Sequence, residues 1–122
     1  MIRVLLVDND VSARAVLRMR LSLEPDLQVV GEAADRDTAL ALVKELVPDV
    51  VVMDVQNPGL NVTAVTAMLR RRCPTCAVVV LILHDTDAAR IRDQDIEVTV
   101  VGKHEGDVRL LAAIRSAATP AP

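Results

Sequence analysis

Five short runs of branched aliphatic residues recur along the chain: IRVLLV from Ile2, LQVVGEA from Leu27, DVVVMD from Asp49, AVVVLIL from Ala77 and IEVTVV from Ile96. They are rich in Val and alternate only weakly, which is the habit of strands buried on both faces of a parallel sheet. Segments with helical spacing lie between them. Val16, Met19 and Leu23 share one helix face, as do Ala39, Val43 and Leu46, then Val62, Val65 and Leu69, and finally Leu110, Leu111, Ile114 and Ala118. Each of these stripes is predicted to pack on the sheet. Strand then helix, five times, predicts a sheet covered on both faces by right-handed crossovers, with ligands gathering outside the carboxyl ends of the strands. The fourth connection, His84 to Asp95, is short and polar with only Ala88, Ala89 and Ile91 as apolar anchors, so it predicts a short, loosely held helix.

A chain of 122 residues with 52% apolar content suits one domain with a real core. The longest apolar stretch, Ala77 to Leu83, falls far below the roughly 20 residues that span a bilayer, and no secretory pattern opens the chain. A soluble cytoplasmic protein without membrane contact is expected. A net charge of -3 gives no electrostatic footprint for nucleic acid. Phe, Tyr and Trp are absent, so the core is aliphatic and base stacking is excluded.

PDVVVMDVQNPG sets the charge of Asp54 at the tip of an apolar run. Asp8 and Asp10 stand at the end of the first strand, and Lys103 just beyond the fifth. Carboxylates gathered at one sheet edge repel one another unless a cation or proton relieves them. Mg2+, which takes one or two carboxylates and keeps several waters, suits a small shallow cluster of this kind. Aspartates at strand ends also cap helices, and Asp10, directly before VSARAVL, is placed for that role.

The stretches IRVLLVDND, VVGEA and PDVVVMDVQNPG, together with Lys103, resemble the receiver domain of two-component response regulators over essentially the whole chain. The wording is most similar to receivers that precede a LuxR/NarL-type DNA-binding domain. The resemblance implies a flavodoxin-like (βα)5 three-layer sandwich with parallel sheet order 2-1-3-4-5. It implies a receiver over residues 1–118, with 119–122 (TPAP closes the chain) as a tail or the start of a linker to an effector domain. Asp54 is then the phosphoacceptor and Lys103 contacts the phosphoryl oxygens. Asp8, Asn9, Asp54 and the backbone carbonyl of Gln56 hold Mg2+. A histidine kinase is the implied phosphodonor, a homodimer the implied assembly, and DNA is reached only through an effector domain outside this chain. No enzymatic activity is expected beyond self-phosphorylation from a phosphodonor.

Three positions depart from the family pattern. Asn9 replaces a metal-binding carboxylate, which weakens Mg2+ affinity. Ile82, with Leu83 next, stands where a Thr or Ser hydroxyl meets the phosphoryl group, and Val100 replaces the aromatic side chain that changes rotamer with it. The usual turn before the fifth strand is also replaced by RDQDIEV. The expected function is therefore an atypical receiver controlling transcription, with weakened or absent phosphorylation-dependent switching, acting through dimerisation or partner or ligand binding. The alternative is an ordinary Mg2+-dependent receiver phosphorylated at Asp54. A third reading, a flavodoxin-like binding protein or redox enzyme, rests on Cys73 and Cys76, whose C-x-x-C spacing is expected to hold two free thiols in a loop. Arg70, Arg71 and Arg72 read as a solvated helix end, and His84 as a loop histidine near the acidic edge.

Overall fold

The computed structural model describes residues 1–54, 62–82 and 98–118. Strands β1 (Ile2–Val7), β2 (Leu27–Ala33), β3 (Val50–Asp54), β4 (Ala77–Ile82) and β5 (Thr99–Gly102) form one sheet. All pairings are parallel, in the order β2-β1-β3-β4-β5. The helices are α1 (Val11–Ser22), α2 (Arg36–Leu46), α3 (Val62–Arg72) and α4 (Gly106–Ala118), with a short 3-10 turn, Lys103–Glu105, before the last. This is the doubly covered sheet, order 2-1-3-4-5, that the Val-rich runs and the resemblance implied. The expected helix of the fourth connection, His84, Leu83, Gln56, residues 92–97 and the 119–122 tail lie outside the described residues.

Two aliphatic cores flank the sheet. Leu5, Val51, Met53 and Val80 point to the side covered by α2 and α3, where Val43, Val65 and Leu69 meet them. Val4, Leu6, Val52 and Val79 point to the other side and meet Leu21, Ala113 and Ile114 of α1 and α4. Alternate residues of one strand thus serve opposite cores, which is why the sequence alternates so little. Because these strands are all parallel, the carboxyl ends of β1, β3 and β5 come to one rim.

Two expectations fail. The α1 stripe Val16, Met19 and Leu23 does not face the sheet: these side chains are 56%, 66% and 75% exposed. The buried side of α1 is Leu17 and Leu21, with Arg14 beside them in place of a third apolar residue. Arg14 hides there because its guanidinium is satisfied, donating to the Asp8 carbonyl and to Glu32. Cys73 and Cys76 are not two free thiols; they form a disulfide and are 2% and 1% exposed. The helical bond from the Cys73 N–H to Leu69 O, and the turn closed by the Cys76 N–H to Cys73 O, place their Cα atoms 5.4 Å apart.

Candidate functional site

Asp54 is the last residue of β3 and its side chain is almost wholly enclosed, 4% exposed. Asp8 follows β1 directly and is fixed by its own N–H donating to Ala33 O at 2.9 Å. Its carboxylate accepts from the Asp10 N–H at 2.9 Å, a local bond that aims the side chain back over the strand end. Asp10 itself caps α1, accepting from the Ala13 N–H at 3.1 Å. The third carboxylate of the sequence cluster therefore serves the helix and leaves two facing each other at the rim.

Lys103 reaches this pair from beyond β5, its Nζ donating to Asp54 Oδ2 at 2.6 Å. The turn that carries it is tight: the Gly102 N–H donates to the Glu105 carboxylate at 2.6 Å, and a Cβ at Gly102 would stand 2.6 Å from the His104 ring. Asp8, Asp54 and Lys103, 46 and 49 positions apart along the chain, thus meet at one edge. Burial, first of all, raises the Asp8 carboxyl above its ordinary range, and the Asp54 carboxyl in hydrogen-bonding contact raises it further. The Asp10 N–H and Lys103 pull the other way. The pair is consequently short of positive charge.

That shortage is the observation that tests the fit of a divalent cation. Among the described residues no group of three or more His, Cys, Asp or Glu side chains is placed to share a metal ion. Two buried carboxylates with an exposed amide, Asn9, beside them do match the sparse oxygen donors and retained waters of Mg2+. Gln56, expected to add a backbone carbonyl, lies outside the described residues. Ile82 closes β4 opposite Gly102 and is 3% exposed, while Val100 pairs with Val80 one layer below. Both pack into the core on the α2–α3 side, and neither carries a polar side-chain atom.

Arg14 is a feature of this rim that the sequence did not announce. It ties the Asp8 carbonyl to Glu32 of β2, and Arg18 joins the same carboxylate at 2.9 Å. Only the three-dimensional proximity of α1 and β2 reveals this; no spacing in the sequence pairs residues 14 and 32. A cavity of about 350 Å³ opens from the rim between α1 and α4, with Asp8, Asp54 and Lys103 at one end and Val16, Leu17 and Leu110 along its walls.

The described residues contain no helix long and apolar enough to cross a membrane. A family profile for the response regulator receiver domain matches residues 4–115. The protein-glutamate methylesterase/protein-glutamine glutaminase of Thermotoga maritima is 38% identical over 88 residues, 72% of this chain and 26% of that protein. The transcriptional regulatory protein DegU of Brevibacillus brevis is 32% identical over 71% of this chain and 37% of its own length. The chain thus spans about a quarter to just over a third of these relatives. Among solved structures, the response regulator domain of Thermotoga maritima CheB superposes with a TM-score of 0.84 at 28% identity, covering 100% of this chain and 99% of that one. The signal receiver domain of the putative response regulator NarL from Mycobacterium tuberculosis gives 0.83 at 28% identity, covering 96% and 95%.

Proposed function

Because the chain belongs to the response regulator receiver domain family, we propose that it is an atypical receiver of a transcriptional regulator, whose phosphoacceptor rim is assembled but whose response to phosphate is weakened. The 2.6 Å contact of Lys103 with the buried Asp54 carboxylate, beside Asp8, carries the first half of this reading. The apolar Ile82 and Val100 carry the second.

In the proposed chemistry an Asp54 oxygen attacks the phosphorus of a phosphohistidine on a partner kinase. The P–O bond forms as the P–N bond breaks, the imidazole leaves with the electron pair and takes a proton, and an acyl phosphate remains on Asp54. Lys103 turns its N–H donors from Asp54 to the incoming phosphoryl oxygens, so its charge is in place before the group arrives. Asp8, Asn9 and Asp54, with the Gln56 carbonyl, would hold Mg2+, which supplies further neutralisation of phosphoryl charge when bound.

Propagation is where this chain differs. A phosphoryl group at Asp54 finds no hydroxyl at the end of β4, and no bulky ring on β5 is available to turn inward. Ile82 is close-packed and the half-buried Val100 carries only a short branched side chain, so this pair offers no second arrangement for the phosphate to select. Output then comes from dimerisation or partner binding largely independent of phosphate. Relatives divide between methylesterases and transcriptional regulators. The transcriptional output follows the LuxR-family and NarL neighbours.

Acetyl phosphate with Mg2+, read by intact mass and by sedimentation of the same sample, tests the reading. The expected result is that any adduct vanishes in Asp54→Asn while the dimer fraction stays the same with and without the donor. A dimer fraction that rises with phosphorylation would establish the ordinary switching receiver instead.

A further inference from the structure

Helix α1 turns one side to the sheet, and at the spacing of that side, positions 14, 17 and 21, two residues are Leu and one is Arg14. An aliphatic side chain at position 14 would complete the stripe, and replacing a buried ion pair by well-packed apolar atoms is commonly neutral or stabilising. The Arg14 side chain is nevertheless only 16% exposed, so packing alone does not account for its place. What it holds is the loop between β1 and α1. The Arg14 N–H donates to the Asp10 carbonyl at 2.9 Å, and the Arg14 guanidinium donates through Nη1 to the Asp8 carbonyl. One residue thus grips the main chain on both sides of Asn9. The guanidinium is held in turn by Glu32 of β2, which accepts from Arg14 Nε at 3.1 Å and from Arg18 at 2.9 Å. Asp8 is further fixed at its N–H by the carbonyl of Ala33, the residue after Glu32, and at its carboxylate by the Asp10 N–H.

From this arrangement we infer that Arg14 is a positioning residue for the divalent cation: it clamps the Asp8–Asn9 segment between α1 and β2, so that the oxygens expected to meet Mg2+ are oriented before the ion arrives. The inference rests on the Mg2+-binding part of the proposed function and adds a residue outside the donor set. Three physical points carry it. First, the bond to the Asp8 carbonyl is made by a side chain, so the identity of residue 14 decides whether it exists. Second, the two acceptors lie on different elements, the Asp8 carbonyl after β1 and the Glu32 carboxylate on β2. The planar guanidinium meets both from two of its nitrogens, whereas a lysine has one nitrogen to offer. Third, Asn9 brings an amide where a carboxylate would attract the ion more strongly, so affinity leans on ligands that need no ordering when the metal binds. Position 14 therefore carries a group that serves the rim in place of one that would serve the core.

Mg2+ alone is the probe, titrated into the 122-residue chain and followed by calorimetry and by the backbone amide signals of Asp8, Asn9 and Asp10, while thermal melts in chelator report the fold separately. Arg14→Met keeps an apolar stem and removes the guanidinium. It is expected to melt at the wild-type temperature or above it in chelator, and to bind Mg2+ on the order of 10-fold more weakly. Arg14→Lys, with the charge kept and the fork lost, is expected to be weakened as much. Arg18→Ala leaves both Arg14 contacts in place and should bind as the wild type does. Weaker binding with an undiminished melting temperature is a pattern that a merely structural role does not give. If Arg14→Met does not hold its fold, the affinity of Arg14→Lys decides. Wild-type affinity in either folded variant would overturn the positioning role and leave the metal site standing. A wild-type chain that does not respond to Mg2+ would overturn both.

Discussion

Replacing Asp8 with Asn removes one of two buried carboxyls at the rim, and the variant is expected to be more stable than the wild type in the absence of metal. At a separation of about 4 Å and an effective dielectric of about 20, two full charges repel by about 4 kcal/mol. Lys103, 2.6 Å from Asp54, offsets much of this, and partial protonation of the raised Asp8 carboxyl removes more. A residue of about 1–2 kcal/mol is left for Asp8→Asn to recover, since the amide oxygen keeps the bond from the Asp10 N–H and the amide nitrogen donates to Asp54. For a chain of this size that is a rise in Tm of about 4–8 °C. The pH dependence follows from the sign of the shift. A carboxyl held above its ordinary 3.8 in the folded protein favours folding fully only below 3.8, and that contribution is lost as pH rises through the folded value. The advantage of the variant is therefore greatest near pH 7 and disappears below about pH 3.8. Mg2+ acts in the opposite sense: at ten times its Kd it stabilises the wild type by about 1.4 kcal/mol, and the variant by far less. Thermal melts by circular dichroism at 222 nm, a peptide wavelength chosen because the chain has no aromatic residue, with and without Mg2+ and from pH 3 to 8, read both effects. A variant less stable than wild type at pH 7 in chelator, or one that gains equally from Mg2+, would refute the reasoning.

Thr66 in α3 is fully buried and its hydroxyl finds no hydrogen-bond partner among the described residues. Thr66→Val, nearly isosteric, is expected to raise unfolding free energy by about 1 kcal/mol in urea titration; a loss would show that the hydroxyl is satisfied in solution. Reduction of the Cys73–Cys76 bond, kept reduced by excess dithiothreitol and without alkylation, should lower stability by about 2 kcal/mol, the loop-closure value for so short a ring, and an unchanged urea midpoint would contradict a disulfide-bonded native state. Ile82→Thr should fail to confer phosphate-dependent dimerisation, because Val100 cannot supply the bulky partner, and should cost about 1–2 kcal/mol through its buried hydroxyl. Restored switching in that single variant, measured by sedimentation with acetyl phosphate, would count against the loss of the β5 partner.

The sheet was legible because period and composition agreed: a strand buried on both faces has to be aliphatic throughout, and Val50 to Met53 satisfies nothing else. The meeting of Asp8, Asp54 and Lys103 followed from strand order, since parallel strands bring all their carboxyl ends to one side. Helix α1 was misread for a definite reason. Its apolar residues outnumber the places available against the sheet, and the buried face includes Arg14, which periodicity alone assigns to solvent. Hydrophobic spacing identifies a stripe but not what covers it; here the stripe belongs to a surface. The disulfide escaped because the C-x-x-C spacing fits thiols, metal and disulfide alike, and the choice is made by the backbone path between α3 and β4, which a sequence does not display. Arg14 and Glu32 are likewise invisible until α1 lies beside β2.

The separation of an assembled acidic rim from an unresponsive β4 and β5 is most directly read from backbone amide NMR spectra with and without beryllofluoride and Mg2+. The expected changes centre on Asp8, Asn9, Asp54 and Lys103 and stop there, with Val100 and the residues of α4 unmoved. Changes running through Val79–Ile82 and Thr99–Val101 into α4, or a rim that does not respond at all, would contradict it.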